Sequence, residues 1–196
     1  MIRTSDTHPI IVNFVAVPTN PSVKFGMTFC PGKVQQQSLT GNWRRNLQND
    51  LERIKDVYKT RRLVSCIEPH EFLLLEVRDM ASVCEKIGLD LSFIPICDGG
   101  TPNNKSIAIL QSALPTLLNS TEENGFTTIF CKGGLGRTGL IAACLLIECG
   151  VEEQHAIEIT RVARPGTIAS SKRKMRHLVF MFIPFESTLL FITYSK

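Results

Sequence analysis

The segment that most limits how this chain can fold is Cys131-Lys132-Gly133-Gly134-Leu135-Gly136-Arg137-Thr138-Gly139. It follows the short β-branched run Thr127-Thr128-Ile129-Phe130 and leads into an apolar stretch that ends near Cys149. The first run reads as a buried strand and Thr138 to Cys149 as a buried helix. A strand passed this quickly to a helix needs a tight loop. The glycines permit one, because without a Cβ the backbone can curl and turn successive N–H groups inward. The start of the helix adds its partial positive charge to the same concavity. A tetrahedral phosphate dianion suits such a cup. Lys132, Gly133, Gly134, Leu135 and Gly136 are therefore candidate substrate-binding residues. Arg137 closes the ring with a planar fork suited to two phosphate oxygens. Cys131 stands at the other end as candidate nucleophile, and the surrounding donors favour its reactive thiolate. The Thr138 hydroxyl is expected to donate a hydrogen bond to that sulfur. A nucleotide loop of the Walker type does not fit, because no Gly-Lys-Ser/Thr ending is present. A tight turn with an incidental cysteine is the plain alternative, and the glycines in a strand–loop–helix context count against it.

A chain of 196 residues with 43% hydrophobic content suits one globular domain spanning 1–196, with its core at about 20–182. The net charge of +4 fits an anionic substrate but equally fits any soluble protein kept off its isoelectric point. The most basic tract, Lys172-Arg173-Lys174-Met175-Arg176, reads as a solvated helix face, so nucleic acid is not an expected partner. The cysteines number seven, with no regular spacing and no paired CxxC motif. That pattern argues for reduced thiols in the cytoplasm and against a disulfide framework or a structural metal. The apolar run from Pro9 to Val17 lacks a basic flank and a cleavage site, so it does not read as a signal peptide. Pro184 and Glu186 interrupt the run Leu178 to Tyr194, which is then too short to span a bilayer.

Along the chain, residues 18–41 read as irregular connection, being rich in Pro, Gly, Ser and Gln. Asn42 opens a helical pattern through Trp43, Leu47, Leu51, Ile54 and Val57 or Tyr58. Arg62 to Ile67 reads as a buried strand, and Glu71 to Ile87 as one helix ended by Gly88. Leu89 to Ile96 is a strand that runs into the loop Cys97-Asp98-Gly99-Gly100-Thr101-Pro102. Lys105 to Leu118 is a helix that tolerates Pro115 poorly. Glu152 to Val162 and Ser170 to Phe182 are further helices, separated by Arg164-Pro165-Gly166. Strands alternating with helices predict an α/β fold with a central, mostly parallel sheet flanked by helices. Ligands bind at the carboxyl ends of such strands, where both the cysteine loop and the Asp98 loop fall.

The run Cys131 to Arg137 followed by Thr138 resembles the signature loop of protein tyrosine and dual-specificity phosphatases. Together with Asp98-Gly99-Gly100-Thr101-Pro102 upstream and Arg164-Pro165-Gly166-Thr167-Ile168 downstream, it is similar to the kinase-associated phosphatases of the cyclin-dependent kinase inhibitor family. The likeness is sharp at these three segments. It implies a cysteine-phosphatase fold and a cysteinyl-phosphate intermediate. It implies no cofactor, and as partners a phosphorylated protein substrate, with a protein kinase as a candidate. It also makes Asp98 the acid that protonates the leaving oxygen, a role for which a closed, dry pocket would raise its pKa. Asp98 alone would read as a turn residue.

The chain departs from the resembling family in two places. Phe130 stands where a His usually precedes the nucleophile, and it cannot donate a hydrogen bond. Ala169 and Arg173 stand near the positions where Gln side chains usually place the hydrolytic water, with Ser170 or Ser171 as candidate substitutes. These changes motivate an alternative, a catalytically weak pseudophosphatase that serves as a phosphate-dependent or kinase-binding module. Rhodanese-like sulfur transfer or arsenate reduction is a third class, less suited to the flanking segments. Lys132 resembles the basic loop residue of phosphoinositide phosphatases, whereas Leu135 removes a second basic position. Cys66 ends a strand, as does a cysteine that pairs with the nucleophile in tensin-type enzymes. A core thiol is the other reading of Cys66.

Overall fold

The computed structural model describes residues 2–38 and 41–168. The strands are β1 (Ile2–Arg3), β2 (Asn13–Val17), β3 (Asn20–Phe29), β4 (Val34–Ser38) and β5 (Gly41–Arg44). Then follow α1 (Leu47–Asp56), β6 (Thr60–Ser65), α2 (Pro69–Leu74), α3 (Met80–Ile87) and β7 (Asp90–Phe93). The order ends with α4 (Asn104–Leu118), β8 (Phe126–Cys131), α5 (Gly136–Glu148) and α6 (Glu153–Ala163).

Five strands form the central sheet in the order β2-β3-β8-β6-β7. β3, β8, β6 and β7 run parallel, and β2 pairs antiparallel at one edge. β8 is central, and each of its residues is buried, which is why its sequence is a continuous apolar and threonine run without alternation. The threonine hydroxyls are matched inside the sheet: Thr60 and Thr128 share a hydrogen bond of 2.7 Å. Helix α5 lies on β8 and β3, with α4 and α6 beside it. Residues Arg137 to Leu146 of α5 are all buried, which accounts for its apolar composition. Helices α1 and α3 pack on β6 and β7. The helix-flanked, mostly parallel sheet expected from the alternating pattern is present.

Several expectations need correction. Residues 18–41 are not irregular, since they hold β3 and β4. Only the second half of β3, from Phe25 onward, enters the core, so turn-forming residues at its exposed start hide a strand fixed by packing. Trp43 belongs to β5 rather than to a helix. Helix α1 begins later, where the Asn46 side chain accepts from the Asn49 amide at 2.9 Å and caps it. The stretch Glu71 to Ile87 is two helices. Glu76 takes a φ of 57° and breaks it, while Leu75, Val77, Met80 and Cys84 continue the buried stripe across the break. A second sheet of three strands, in the order β1-β5-β4, was not legible and forms a wall beside the main one. The expected helix Ser170 to Phe182 and the apolar run Leu178 to Tyr194 lie outside the described residues. Among the described residues, no helix is long and apolar enough to cross a membrane.

A buried ion pair ties the wall to the main body. Arg45 donates to both carboxylate oxygens of Asp50, at 2.7 and 2.8 Å, and to the His8 carbonyl at 2.8 Å. Asp50 in turn accepts from the Gly32 amide at 2.9 Å. One carboxylate thus fixes α1, Arg45 between β5 and the α1 cap, and the turn after β3. Asp50→Ala leaves Arg45 buried without its partner. Urea unfolding should show a loss of about 3–5 kcal/mol.

Candidate active site

Cys131 is the last residue of β8 and is 3% exposed. The loop after it curls back into α5, which begins at Gly136, so Arg137 sits in the first helical turn. Gly134 shows why the sequence needs glycine here: its φ is 70°, and a Cβ at this point would run into the Thr28 carbonyl of β3. The loop's carbonyls are tied down from outside. Arg164 Nε donates to the Gly134 carbonyl at 2.7 Å, and its Nη1 reaches Asn13 Oδ1 at 2.6 Å. Lys33 Nζ donates to the Lys132 carbonyl at 3.2 Å. In a trans peptide the carbonyl and the following N–H point opposite ways. These bonds therefore turn the Gly133 and Leu135 amides away from Lys33 and Arg164.

Arg137 is buried and paired. Its Nη2 donates to Glu71 Oε1 at 2.9 Å, and its Nη1 donates to Glu71 Oε2 and to the Ile96 carbonyl at 3.1 Å. Glu71 also accepts from the Glu68 amide at 2.8 Å, closing a capping box at the start of α2. Burial disfavours the Glu71 charge, but the bonds from Arg137 and Glu68 outweigh it and hold the carboxyl below its ordinary range. Burial likewise opposes the charge of Arg137, and Glu71 more than restores it. Arg137 Nε is buried and has no partner among the described residues. Its free edge faces the side where Asp98 lies, with Asp98 Oδ1 at 3.4 Å from Nη2.

The predicted residues fall as follows. Cys131, Lys132, Gly133, Leu135, Gly136, Arg137 and Asp98 line one cavity of about 820 Å³, and Gly134 lies in its loop with a buried contact to Thr28. Two details differ from expectation. The Asp98 side chain is 72% exposed, so no closed, dry pocket surrounds it here. The Thr138 hydroxyl is buried but has no partner among the described residues, so the expected bond to the sulfur is not made. Phe130 is fully buried and offers the loop no donor. Cys66 follows β6, and its amide donates to the Phe130 carbonyl at 2.9 Å. Burial pushes the thiols of Cys66 and Cys30 up. Ala169, Ser170, Ser171 and Arg173 lie outside the described residues. Among the described residues, no group of three or more metal-ligating side chains converges.

Sequence reading missed Glu71, Lys33 and Arg164 as parts of the site. Pro69 and Glu71 after a strand end are a legible helix start, but that pattern carries no sign of an ion pair reaching residue 137. Arg164 was noticed within its motif without its contact to Gly134.

A cysteine at a strand end, a glycine loop and an arginine in the following helix turn, carried on this sheet, define the cysteine-phosphatase fold. A crystal structure of kinase associated phosphatase, with its catalytic-site cysteine substituted by serine, superposes with a TM-score of 0.73. It is 27% identical and covers 87% of this chain and 93% of that one. Residues 4–157 match the family described as Cyclin-dependent kinase inhibitor 3 (CDKN3), and the chain belongs to that family. The Homo sapiens cyclin-dependent kinase inhibitor 3 is 33% identical over 133 residues, covering 66% of this chain and 61% of that relative. The chain thus spans less than two thirds of that relative's length. The Mus musculus protein tyrosine phosphatase type IVA 2 is 33% identical over 89 residues, 45% of this chain and 52% of the relative. The family suggested by the three sequence segments is the one the comparisons return.

The Glu71–Arg137 pair gives a test with a definite sign. A carboxyl held below its ordinary value of 4.5 stabilises the fold fully above that pH and loses its contribution as pH falls through the lower folded value. Glu71→Gln should lower stability at neutral pH by about 3 kcal/mol, because Arg137 stays buried and charged. It should also remove part of the acid-induced loss expected of the parent as pH falls from neutral to below the carboxyl's ordinary value of 4.5. Urea melts at both ends of this range check it.

Proposed function

We propose that this chain is a cysteine-dependent phosphatase acting on phosphoserine, phosphothreonine or phosphotyrosine in proteins. The observation that carries this reading is the buried Nε of Arg137, which no group among the described residues satisfies, in the same cavity as the Cys131 thiol. A buried donor without an acceptor is costly. A phosphoryl oxygen supplies the acceptor, with a second oxygen on Nη2 where Asp98 now approaches.

In the proposed reaction the Cys131 thiolate attacks phosphorus while the ester P–O bond breaks. The amides of residues 132–136 and Arg137 hold the three equatorial oxygens as charge develops. Asp98 gives its proton to the leaving oxygen. Water then attacks the cysteinyl phosphate, Asp98 takes a proton from it, and the S–P bond breaks to release inorganic phosphate. The scheme uses no metal or organic cofactor. The names of the family and of the kinase-associated relative support a phosphorylated kinase as substrate.

Two observations favour a second reading, a phosphate-dependent or kinase-binding module with poor turnover. Phe130 gives no hydrogen bond to the loop, and Thr138 makes none to the sulfur. Phosphopeptide binding without measurable turnover by the unaltered chain would establish it.

Turnover of p-nitrophenyl phosphate is the first assay. Cys131→Ser should abolish it, and activity surviving that change would refute the covalent mechanism. Asp98→Ala should lower kcat on a phosphothreonine peptide by about 10²–10⁴-fold. The loss should be much smaller on p-nitrophenyl phosphate, whose leaving group needs little help from an acid.

A further inference from the structure

Lys33 occupies the turn between β3 and β4, is 3% exposed, and lines the same cavity as Cys131 and Arg137. An ammonium carries three donors, and among the described residues Nζ has a single acceptor, the Lys132 carbonyl at 3.2 Å. Burying a cation with so little satisfaction is costly unless something else needs it there. Its surroundings are built to hold it. Nζ lies 4.9 Å from the Phe29 ring centroid and 5.1 Å from that of Trp43, whose faces attract cations. The turn itself is fixed by the Gly32 amide on Asp50 and by the Arg45 amide on the Lys33 carbonyl.

The sheet order places this cation relative to the nucleophile. β8, which ends at Cys131, lies between β3 and β6. Arg137 reaches the carbonyl of Ile96, beyond β7, and Glu71, beyond β6. Lys33 arrives from the β3 side. The cysteine loop therefore has a buried cation on each flank, and one of them grips the loop backbone. We propose that Lys33 is a positioning residue for the anion cup, holding the Lys132 peptide so that the Gly133 amide faces a bound oxyanion, and adding positive charge beside Cys131. The inference rests on the reading of that cup as a phosphoryl site.

Burial brings the Lys33 ammonium down from 10.5 to about 8. Negative charge on the sulfurs of Cys30 and Cys131 opposes this fall, and Arg45 and Lys132 add to it. The remaining charged groups on the cavity wall are Arg3, Asp98, Arg137 and Arg164. Arg45 and Arg137 are already neutralised by Asp50 and Glu71. An anion in the cup raises the Lys33 pKa. Anion affinity is then complete below about pH 8 and falls as pH rises and Lys33 loses its proton.

The test needs no turnover. Trp43 is the sole tryptophan of the chain and lines the cavity, so its fluorescence can follow titration with sulfate, a dianion throughout the working range. The parent, Lys33→Arg and Lys33→Met are compared at about pH 7 and about pH 9.5. At the lower pH, Lys33→Met should bind sulfate roughly tenfold more weakly, as expected for one lost charged contact. Between the two pH values the parent should weaken by roughly tenfold, and Lys33→Arg, which keeps its charge, by clearly less. Equal affinity of parent and Lys33→Met at the lower pH, or a common pH slope in parent and Lys33→Arg, overturns the proposal. If circular dichroism shows Lys33→Met unfolded, the parent and Lys33→Arg slopes decide alone. Parallel assays of p-nitrophenyl phosphate separate the two readings. Lys33-dependent sulfate binding without turnover sinks the phosphatase assignment and keeps this one, and turnover with Lys33-independent binding does the reverse.

Discussion

A guanidinium buried at the centre of the molecule must keep its charge and still leave part of itself unspent. Glu71 meets both demands for Arg137. It takes the two terminal nitrogens, supplies the opposite charge, and is itself oriented by the Glu68 amide. The edge that remains free carries Nε, and Arg137 lines the same cavity as the cysteine loop. A lysine in place of Arg137 would have no planar second edge to offer, and a shorter acid in place of Glu71 would not span the gap between α2 and α5. The geometry of the cup thus depends on an ion pair that takes no part in bond making.

The loop shows the same division of labour. Its inner surface is backbone, whose N–H groups and helix terminus would, on the proposed reading, meet a phosphate without distinguishing what carries it. Its outer surface is held by side chains from distant parts of the chain, Lys33 on the Lys132 carbonyl and Arg164 on the Gly134 carbonyl. Specificity then belongs to the walls. The small sheet of β1, β5 and β4 contributes Arg3, Gln35 and Trp43 to the cavity, giving it both a basic and an aromatic wall.

The elements legible in the sequence were those whose local pattern and tertiary role agree. The run Thr127 to Phe130, the glycine loop and the apolar helix after it fall where the local pattern put them, and α4 and α6 were placed to within a residue or two. The N-terminal third was not legible. β3 begins with Asn20-Pro21-Ser22, a turn composition, and becomes a strand because Phe25 and Met27 pack beside β8. Trp43 fits the helical period of the residues after it by coincidence, while the cap at Asn46 decides where the helix starts. In the site, Cys131, Arg137 and Asp98 were visible because they sit in short motifs. Glu71 and Lys33 were not, because each reaches its partner across a long stretch of chain, and nothing in local spacing records a contact of that kind.

Arg164 joins Gly134 of the loop to Asn13 of β2. A single guanidinium thereby gathers three points of the chain, the outer two separated by 151 positions. Contacts of such range carry a large loop-closure cost and slow folding. The Gly134 carbonyl has this anchor only once the segment after α6 has reached the loop, and β2 holds the same guanidinium through Asn13. Until then the loop after Cys131 lacks one of the side-chain anchors on its carbonyls.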